Sequence, residues 1–358
     1  MPVNSFNQQL FYALYAAQIS ACLRAALSLR LVEKHNNETT LSAKELATLL
    51  EIDPVAARSF FNVLVAIGIL TRDAASYSVS ANARALLSTK TDLTMAPYLS
   101  IGLEGDAANA EFVSFLREPS KADRLYAEGG ETSLMDQPNG ISTEVAYGLA
   151  SRARRFAHLL AMSISNRVGE NASVIDIGAG SPHLAIALSS FRPRWRITLA
   201  DRQNALRFIR EMAKTEEIIL QEDSSNLNDG QIGLLDCNMF SRETLPRTST
   251  MDAVIFSNVL HDWAPDQISQ IVGNALRCLK PGGYLVVHES FLSPDPADSN
   301  ALCFAAYGMT LNQLTAGQGS CYFVKEYDDI LARLGLKRSE EPVITVDGCQ
   351  ALFYQVGQ

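Results

Sequence analysis

His261 and Glu289 each follow an apolar run that reads as a buried strand, and an imidazole backed by a carboxylate is an arrangement that moves protons. The first run is Asp252-Ala253-Val254-Ile255-Phe256-Ser257-Asn258, continued by Val259-Leu260-His261-Asp262-Trp263. The second is Tyr284-Leu285-Val286-Val287-His288-Glu289, entered through the turn Lys280-Pro281-Gly282-Gly283. Ligands of open α/β sheets bind outside the carboxyl ends of the strands, so both side chains are expected to face one crevice. There Glu289 would fix the tautomer of His261 and stabilise the imidazolium formed on proton uptake. Taken singly, each has an ordinary explanation, His261 as a helix cap and Glu289 as a solvated strand end. His288 should point to the opposite sheet face.

A second constellation reads as a nucleotide site. Val174-Ile175-Asp176-Ile177-Gly178-Ala179-Gly180 is a buried strand that stops at a glycine turn, and Ser181-Pro182-His183-Leu184 opens a helix with Ser181 as its cap. Gly178 and Gly180 permit a sharp turn and let backbone N–H groups approach a ligand. About twenty residues on, Ile197-Thr198-Leu199-Ala200-Asp201 ends in the carboxylate that would hold a ribose. A dinucleotide fingerprint wants a third small residue where this chain has His183. Asp176-x-Gly178-x-Gly180 therefore suits S-adenosylmethionine, which has no pyrophosphate to cradle, better than a nicotinamide or flavin.

The elements that must position these groups alternate from Ser173 onward. Strands are expected at 173–177, 196–200, 216–220, 252–256, 284–288 and 351–356, giving an α/β fold with a Rossmann-like, doubly wound, mostly parallel sheet. Before it, Phe6 to Leu31 reads as an apolar helix too hydrophobic to lie wet on every side. Ser42 and Glu45 form a capping box, and Asp53-Pro54-Val55 starts the next helix. Ile69 to Val79 makes a hairpin. Helix, turn, helix and hairpin form a winged-helix pattern, for which DNA binding and dimerisation compete. The second helix offers Arg58 as its one base among Val55, Ala56, Ala57, Phe60 and Phe61, whereas a groove-reading helix needs polar and basic side chains, so dimerisation is favoured. Residues 92 to 165 read as helical, broken at Gly102, Gly105, Gly129-Gly130 and Pro138-Asn139-Gly140. The expected domains are 1–95 (winged-helix dimerisation), 96–165 (helical linker and substrate-pocket segment) and 166–358 (cofactor-binding and catalytic).

Composition narrows the class. A net charge of −9 over 358 residues argues against nucleic acid as the main partner. Charged or polar residues interrupt every apolar run before it reaches membrane-spanning length, and Met1 to Gln9 lacks a basic leader region. The six cysteines are scattered without C-x-x-C spacing and read as buried thiols of a reducing cytoplasm. His35, His158, His183, His261 and His288 show no metal-ligand spacing, so no metal is expected.

From the winged helix to Lys280-Pro281-Gly282-Gly283, the chain resembles the small-molecule O-methyltransferases that use S-adenosylmethionine and dimerise through an amino-terminal winged helix, the acetylserotonin and caffeate enzymes among them. The resemblance rests on Asp176-Ile177-Gly178-Ala179-Gly180, Asp201, Asn238-Met239-Phe240 and Leu260-His261-Asp262-Trp263. It implies that His261 is the general base, that Glu289 orients it, and that Asp201 binds ribose. Asn238 and Met239 would flank adenine, with Phe240 and Ser257 completing the cofactor site. S-adenosylhomocysteine would be the product. The chain departs from the family at Ser181-Pro182, at Asn238 where an aspartate is usual, at Ser257 where plant members carry lysine, and near Cys321 where plant members carry a second glutamate. An apolar acceptor pocket is expected from Phe156, Met162, Asp262, Trp263, Phe304, Tyr307, Met309 and Asn312, suited to an aromatic or polyketide-like hydroxyl compound. Alternatives in the same family are transfer to nitrogen or carbon, or a non-methylating reaction such as hydroxylation, decarboxylation or cyclisation.

Overall fold

The computed structural model describes residues 3–35, 39–90, 94–103, 105–121, 143–295, 298, 300–346 and 348–357. The expected breaks at Gly129-Gly130 and Pro138-Asn139-Gly140 lie outside the described residues. The chain forms two compact units, one from 1–124 with 291–323 and one from 125–290 with 324–358. The return of 291–323 to the first unit is not anticipated by contiguous boundaries drawn on the sequence.

The first unit opens with α1 (Val3–Ser28) and α2 (Leu31–Lys34). The single long helix expected to Leu31 is instead interrupted at Arg30, whose left-handed φ of 56° ends one helix and begins the next. Strand β1 (Leu41–Ser42) leads into α3 (Ala43–Leu50), where Ser42 and Glu45 make the expected capping box. Asp53 caps α4 (Pro54–Ala66). The hairpin β2 (Leu70–Asp73) and β3 (Ser76–Val79) follows, and β1 joins it as a third strand. Helices α5 (Ala81–Leu87), α6 (Ala96–Leu99) and α7 (Ala107–Arg117) complete the amino-terminal part. Gly102 and Gly105, both at positive φ, separate α6 from α7 as expected. Helix α12 (Ala301–Leu314) packs along α4 and α1 and shares their core of Phe60, Phe61, Leu64, Phe304 and Met309. Arg58 lies over the Tyr322 ring at 4.3 Å.

The second unit begins with α8 (Thr143–Ser165) and then alternates: β4 (Ser173–Ile177), α9 (His183–Phe191), β5 (Arg196–Asp201), α10 (Gln203–Thr215), β6 (Leu220–Gln221), β7 (Ile232–Asp236), β8 (Met251–Ser257), α11 (Pro265–Leu276) and β9 (Leu279–Glu289). Helix α13 (Val324–Ala332) and strands β10 (Lys337–Arg338), β11 (Val343–Ile344) and β12 (Gln350–Gln355) close it. Among the described residues the sheet order is β10-β12-β9-β8-β4-β5-β7-β6, with β11 beside β12. Strands β4 to β9 pair in parallel and β12 runs antiparallel to β9. Val174, Ile175, Ile197, Leu199, Val254, Ile255, Leu285 and Val286 are fully buried, because helices cover both faces of the parallel strands.

Two expectations need correction here. The strand expected at 216–220 is reduced to Leu220–Gln221, since α10 runs on to Thr215 and Glu217 turns the chain at φ 57°. The full-length neighbour of β5 is β7, which the sequence disguises with Gly233 inside a short apolar run. A Cβ there would fall 3.0 Å from Ser224 Cα, so the glycine marks a close crossing of backbone within the strand. Ser181 is likewise not the helix cap. Its N–H turns back to Ala179 O at 2.5 Å, and α9 starts one residue later, after Pro182.

Candidate active site

The sheet reverses its winding at β4, whose two neighbours are β5 and β8. A crevice forms at such a switch point outside the carboxyl ends of the strands. Four segments reach that edge: the glycine turn after β4, Asp201 ending β5, the Asn238 loop after β7, and the His261 turn after β8 with Glu289 at the end of β9.

Gly178 and Gly180 adopt φ of 74° and 59°, where an L side chain is strained. Gly178 and Ala179 donate to Ala200 O at 2.8 and 3.3 Å, which ties the turn to the end of β5. Asp201 then accepts from Gly180 N–H at 2.8 Å through Oδ2 and from Arg202 N–H at 2.7 Å through Oδ1. Burial pushes the Asp201 carboxyl up to about 6 despite those donors. Asp176 is buried, and its Oδ1 has no hydrogen-bond partner among the described residues. Burial, reinforced by the charge of Asp201, pushes Asp176 up to about 7. A bare positive-φ turn, an unpartnered buried carboxylate oxygen and a second carboxylate one strand away together fit an adenosine-bearing cofactor with a cationic tail.

The loop after β7 is fixed from two sides. Asn238 accepts the Phe240 N–H through Oδ1 at 3.1 Å, so its side chain shapes its own turn. Asn274 on α11 donates to the carbonyls of Met239 and Phe240 at 3.1 and 3.0 Å. The Phe240 ring stands edge-on to Trp263 at 4.7 Å, which brings an expected cofactor residue against an expected substrate residue. Asn274 was missed at the sequence level, because a buried asparagine inside an apolar helix carries no local signal of its long-range partners.

His261 sits on a 3₁₀ turn, Leu260–Asp262, and is buried. Its Nδ1 lies 2.5 Å from Glu289 Oε2. The other oxygen of Glu289 accepts Val259 N–H at 2.9 Å and Leu260 N–H at 2.8 Å. With Glu289 ionised, Nδ1 must carry a proton, so the neutral ring has its lone pair on Nε2. Asp262 Oδ1 stands 3.6 Å from that nitrogen. Burial works against the imidazolium, but the charges of Glu289 and Asp262 outweigh it and hold His261 above the ordinary histidine value. Burial would raise Glu289, and the charge of His261 with the two backbone donors more than reverses this. The pair is therefore built to be charged.

His288 has a different role. The Thr345 hydroxyl donates to Cys349 O at 3.1 Å, so the 3.0 Å contact to Thr345 Oγ1 makes His288 Nε2 a donor. Nδ1 then accepts from Ser257 at 2.9 Å. Ser257 is thus engaged on the sheet with His288. Arg152 on α8 reaches Ser290 Oγ and Cys349 Sγ, each at 3.0 Å, and its charge acts on His261. Phe156 is buried with its ring 4.5 Å from that of His288, whereas Met162 is exposed on α8. Phe304, Tyr307, Met309 and Asn312 belong to α12 in the first unit. Met309 is wholly buried in that unit's core, and Asn312 donates to the carbonyls of Gly317 and Gly319 at 3.0 and 2.9 Å. Among the described residues no group of three or more His, Cys, Asp or Glu could hold a metal ion, and no helix is long and apolar enough to cross a membrane.

Comparison with known proteins agrees with this architecture. The chain is 28% identical over 143 residues to acetylserotonin O-methyltransferase of Macaca mulatta, covering 40% of this chain and 36% of that protein. It is 27% identical over 165 residues to 3-hydroxy-5-methyl-1-naphthoate 3-O-methyltransferase of Streptomyces sahachiroi, covering 45% and 42%. The matched stretches thus span less than half the length of these curated relatives. Among solved structures, an O-methyltransferase family 2 protein of Planctomyces limnophilus in complex with apigenin superposes with a TM-score of 0.77 at 22% identity, over 97% of this chain and 95% of that one. Human N-acetylserotonin methyltransferase in complex with SAM gives 0.53 at 20% identity, over 98% and 97%. These likenesses show a shared fold. Residues 162–337, just under half of the chain, match the O-methyltransferase domain family.

Proposed function

We propose that the protein methylates a hydroxyl of a small aromatic or polyketide-like metabolite, using S-adenosylmethionine and His261 as general base. The observation that carries this reading is the His261–Glu289 pair, with Glu289 held by two backbone N–H groups so that its free oxygen faces Nδ1. That leaves Nε2 as the nitrogen that accepts the acceptor's proton. Asp201 would hold the ribose hydroxyls. The glycine turn would lie beneath the adenosine, and Asn238 with Met239 would flank the adenine. When bound, the cofactor supplies an electrophilic methyl group, so the residues of this chain need only orient the acceptor, exclude water and remove one proton. A phenol, with a pKa of about 10, keeps that proton at neutral pH. Removing it in the transition state is worth about 10²–10⁴ in rate.

The same reading extends to assembly. Leu10 and Leu14 on α1 are 53% and 67% exposed, as an apolar helix awaiting a partner would be. A homodimer built through residues 4–90 would cover them. The six buried free thiols suit a reducing compartment such as the cytoplasm.

The test is direct. The purified chain is incubated with labelled S-adenosylmethionine and a panel of phenolic and enolic acceptors, and the methylated product is read by mass. The wild type should methylate at least one class, while His261→Ala should lose about 10²–10⁴ in turnover with unchanged cofactor affinity. A His261→Ala enzyme as fast as wild type would remove His261 from the mechanism.

A further inference from the structure

The short turn after β8 serves both halves of the site. Asn258 lies at φ 56°, a left-handed conformation that asparagine tolerates and β-branched residues do not. Its N–H donates to His288 O at 2.8 Å, which pins the turn to the end of β9. Because Asn258 turns the chain left-handed, the next two N–H groups, of Val259 and Leu260, converge on one oxygen of Glu289. This is a backbone nest, and its anion is the carboxylate that orients His261. The Val259 side chain, meanwhile, lies against the glycine turn. A Cβ added at Gly178 would fall 2.5 Å from Val259 Cγ2 and 3.1 Å from Cγ1, but 3.4 Å from Val259 Cβ.

We propose that Asn258 and Val259 are positioning residues that lock the cofactor's glycine turn and the His261–Glu289 pair into one fixed relation, so that a change at Gly178 is transmitted to His261. Val259 is the shared part: its backbone N–H holds the carboxylate and its side chain sets the approach of Gly178. The inference rests on the reading of His261 as the base, but its consequence can be measured without turnover.

The groups that act on the charge of His261 are Glu289, Asp262 and, from α8, Arg152. If the nest is disturbed, Glu289 moves and its contribution weakens, while Asp262 and Arg152 remain. The His261 titration midpoint must then fall. The chain has five histidines, so isotope labelling of histidine in the full-length protein, with His261→Gln for assignment, gives that midpoint and the tautomer by NMR. Asn258→Gly, which accepts positive φ, should titrate like wild type. Asn258→Val should titrate lower and lose turnover by up to about 10²-fold, the cost of a misplacement near 1 Å. Gly178→Ala should lower the midpoint in the same direction. Adding Val259→Ala should restore it, since the clashing methyls are gone, though cofactor affinity stays weakened by the positive φ at position 178. A Gly178→Ala midpoint equal to wild type, or a lowered one that Val259→Ala fails to restore, overturns the proposal, and this pair suffices where Asn258→Val does not fold. Should the wild type prove unable to methylate any acceptor, the function falls but the titrations still decide the coupling.

Discussion

Glu289→Gln is the sharpest single perturbation of the acid–base pair, because the structure dictates how the amide must sit. The carboxylate accepts three donors: Val259 and Leu260 N–H on Oε1, and His261 Nδ1 on Oε2. Glutamine has one oxygen and one NH₂ to offer. If its oxygen faced His261, the NH₂ would confront two backbone donors and leave them unsatisfied in a buried site, at about 1–3 kcal/mol each. The oxygen therefore stays with the backbone and the NH₂ faces the ring. Nδ1 must then accept, the ring proton moves to Nε2, and the nitrogen that should take the acceptor's proton is blocked. The expected loss in kcat is about 10²–10⁴, or about 3–5 kcal/mol of barrier, comparable to removing the imidazole. The pH profile adds a second signature. Neutral imidazole is the active form, so the wild-type rate should rise with pH through a midpoint above the ordinary histidine value, as the charges of Glu289 and Asp262 require against burial. Without the charge of Glu289 the rising limb moves to lower pH while its plateau drops. The assay is kcat from about pH 5 to 9 with both substrates saturating, alongside calorimetry for the cofactor. A variant within threefold of wild type (about 0.65 kcal/mol) would show that neither the tautomer nor the carboxylate matters to the rate.

Three further outcomes are expected. Asp201→Ala removes the acceptor of Gly180 N–H and the proposed ribose partner, so cofactor binding should weaken by roughly 10–150-fold, or about 1.5–3 kcal/mol; an unchanged calorimetric Kd would contradict the placement. Asp176 titrates at about 7 in the folded chain and at about 3.9 unfolded. The folded state thus keeps a proton that the unfolded state gives up, and stability should fall as pH rises across that window, by about 4 kcal/mol in total. Thermal unfolding of ligand-free Asp176→Asn should lack that slope and exceed wild type near pH 8; parallel profiles would refute the shift. Light scattering at micromolar concentration should give twice the chain mass, and a monodisperse monomer would dispose of the proposed interface.

The parts of the site that the sequence disclosed are those in which local spacing already carries the geometry. A β-branched run stopped by Gly178 and Gly180 can do little but turn sharply, and Asp201 follows at the distance one βαβ unit needs. The alternation of Val287, His288 and Glu289 sent one titratable side chain to each face, and the hydrogen bonds of His288 to Ser257 and Thr345 follow from that parity. Strand β7 was hidden because Gly233 answers to a backbone crossing from Ser224, a contact with no trace in local propensity. Helix α12 enters the sequence reading only as the expected pocket residues Phe304, Tyr307, Met309 and Asn312, and its membership of the first unit is decided by long-range packing against α4. Asn258 and Val259 hold the turn through backbone N–H groups, which every residue but proline owns, and the Asn274 side chain reaches carbonyls 34 and 35 residues away, so type and spacing could not single them out.

Of the four departures from the family that the sequence resembles, the one near Cys321 removes a glutamate, and the second unit holds another carboxylate close to His261. Cys321 is fully buried in the first unit, where its backbone N would lie 2.9 Å from a Cβ on Gly308. In the second unit, Asp262 brings a carboxylate to 3.6 Å from His261 Nε2. At that distance it is beyond a hydrogen bond, yet its charge adds to that of Glu289 in favouring the imidazolium. In the proposed mechanism the two carboxylates would divide the work. Glu289, bonded at Nδ1, fixes which nitrogen is basic, and Asp262 strengthens that basicity without occupying the lone pair. Raising the proton affinity of the histidine toward that of a phenol, at about 10, narrows the gap the proton must cross in the proposed reaction. The cost is a smaller neutral fraction at neutral pH. General-base catalysis is most efficient where those two effects balance, and a histidine held above its ordinary value is shifted toward the side of that balance that a weakly acidic acceptor requires.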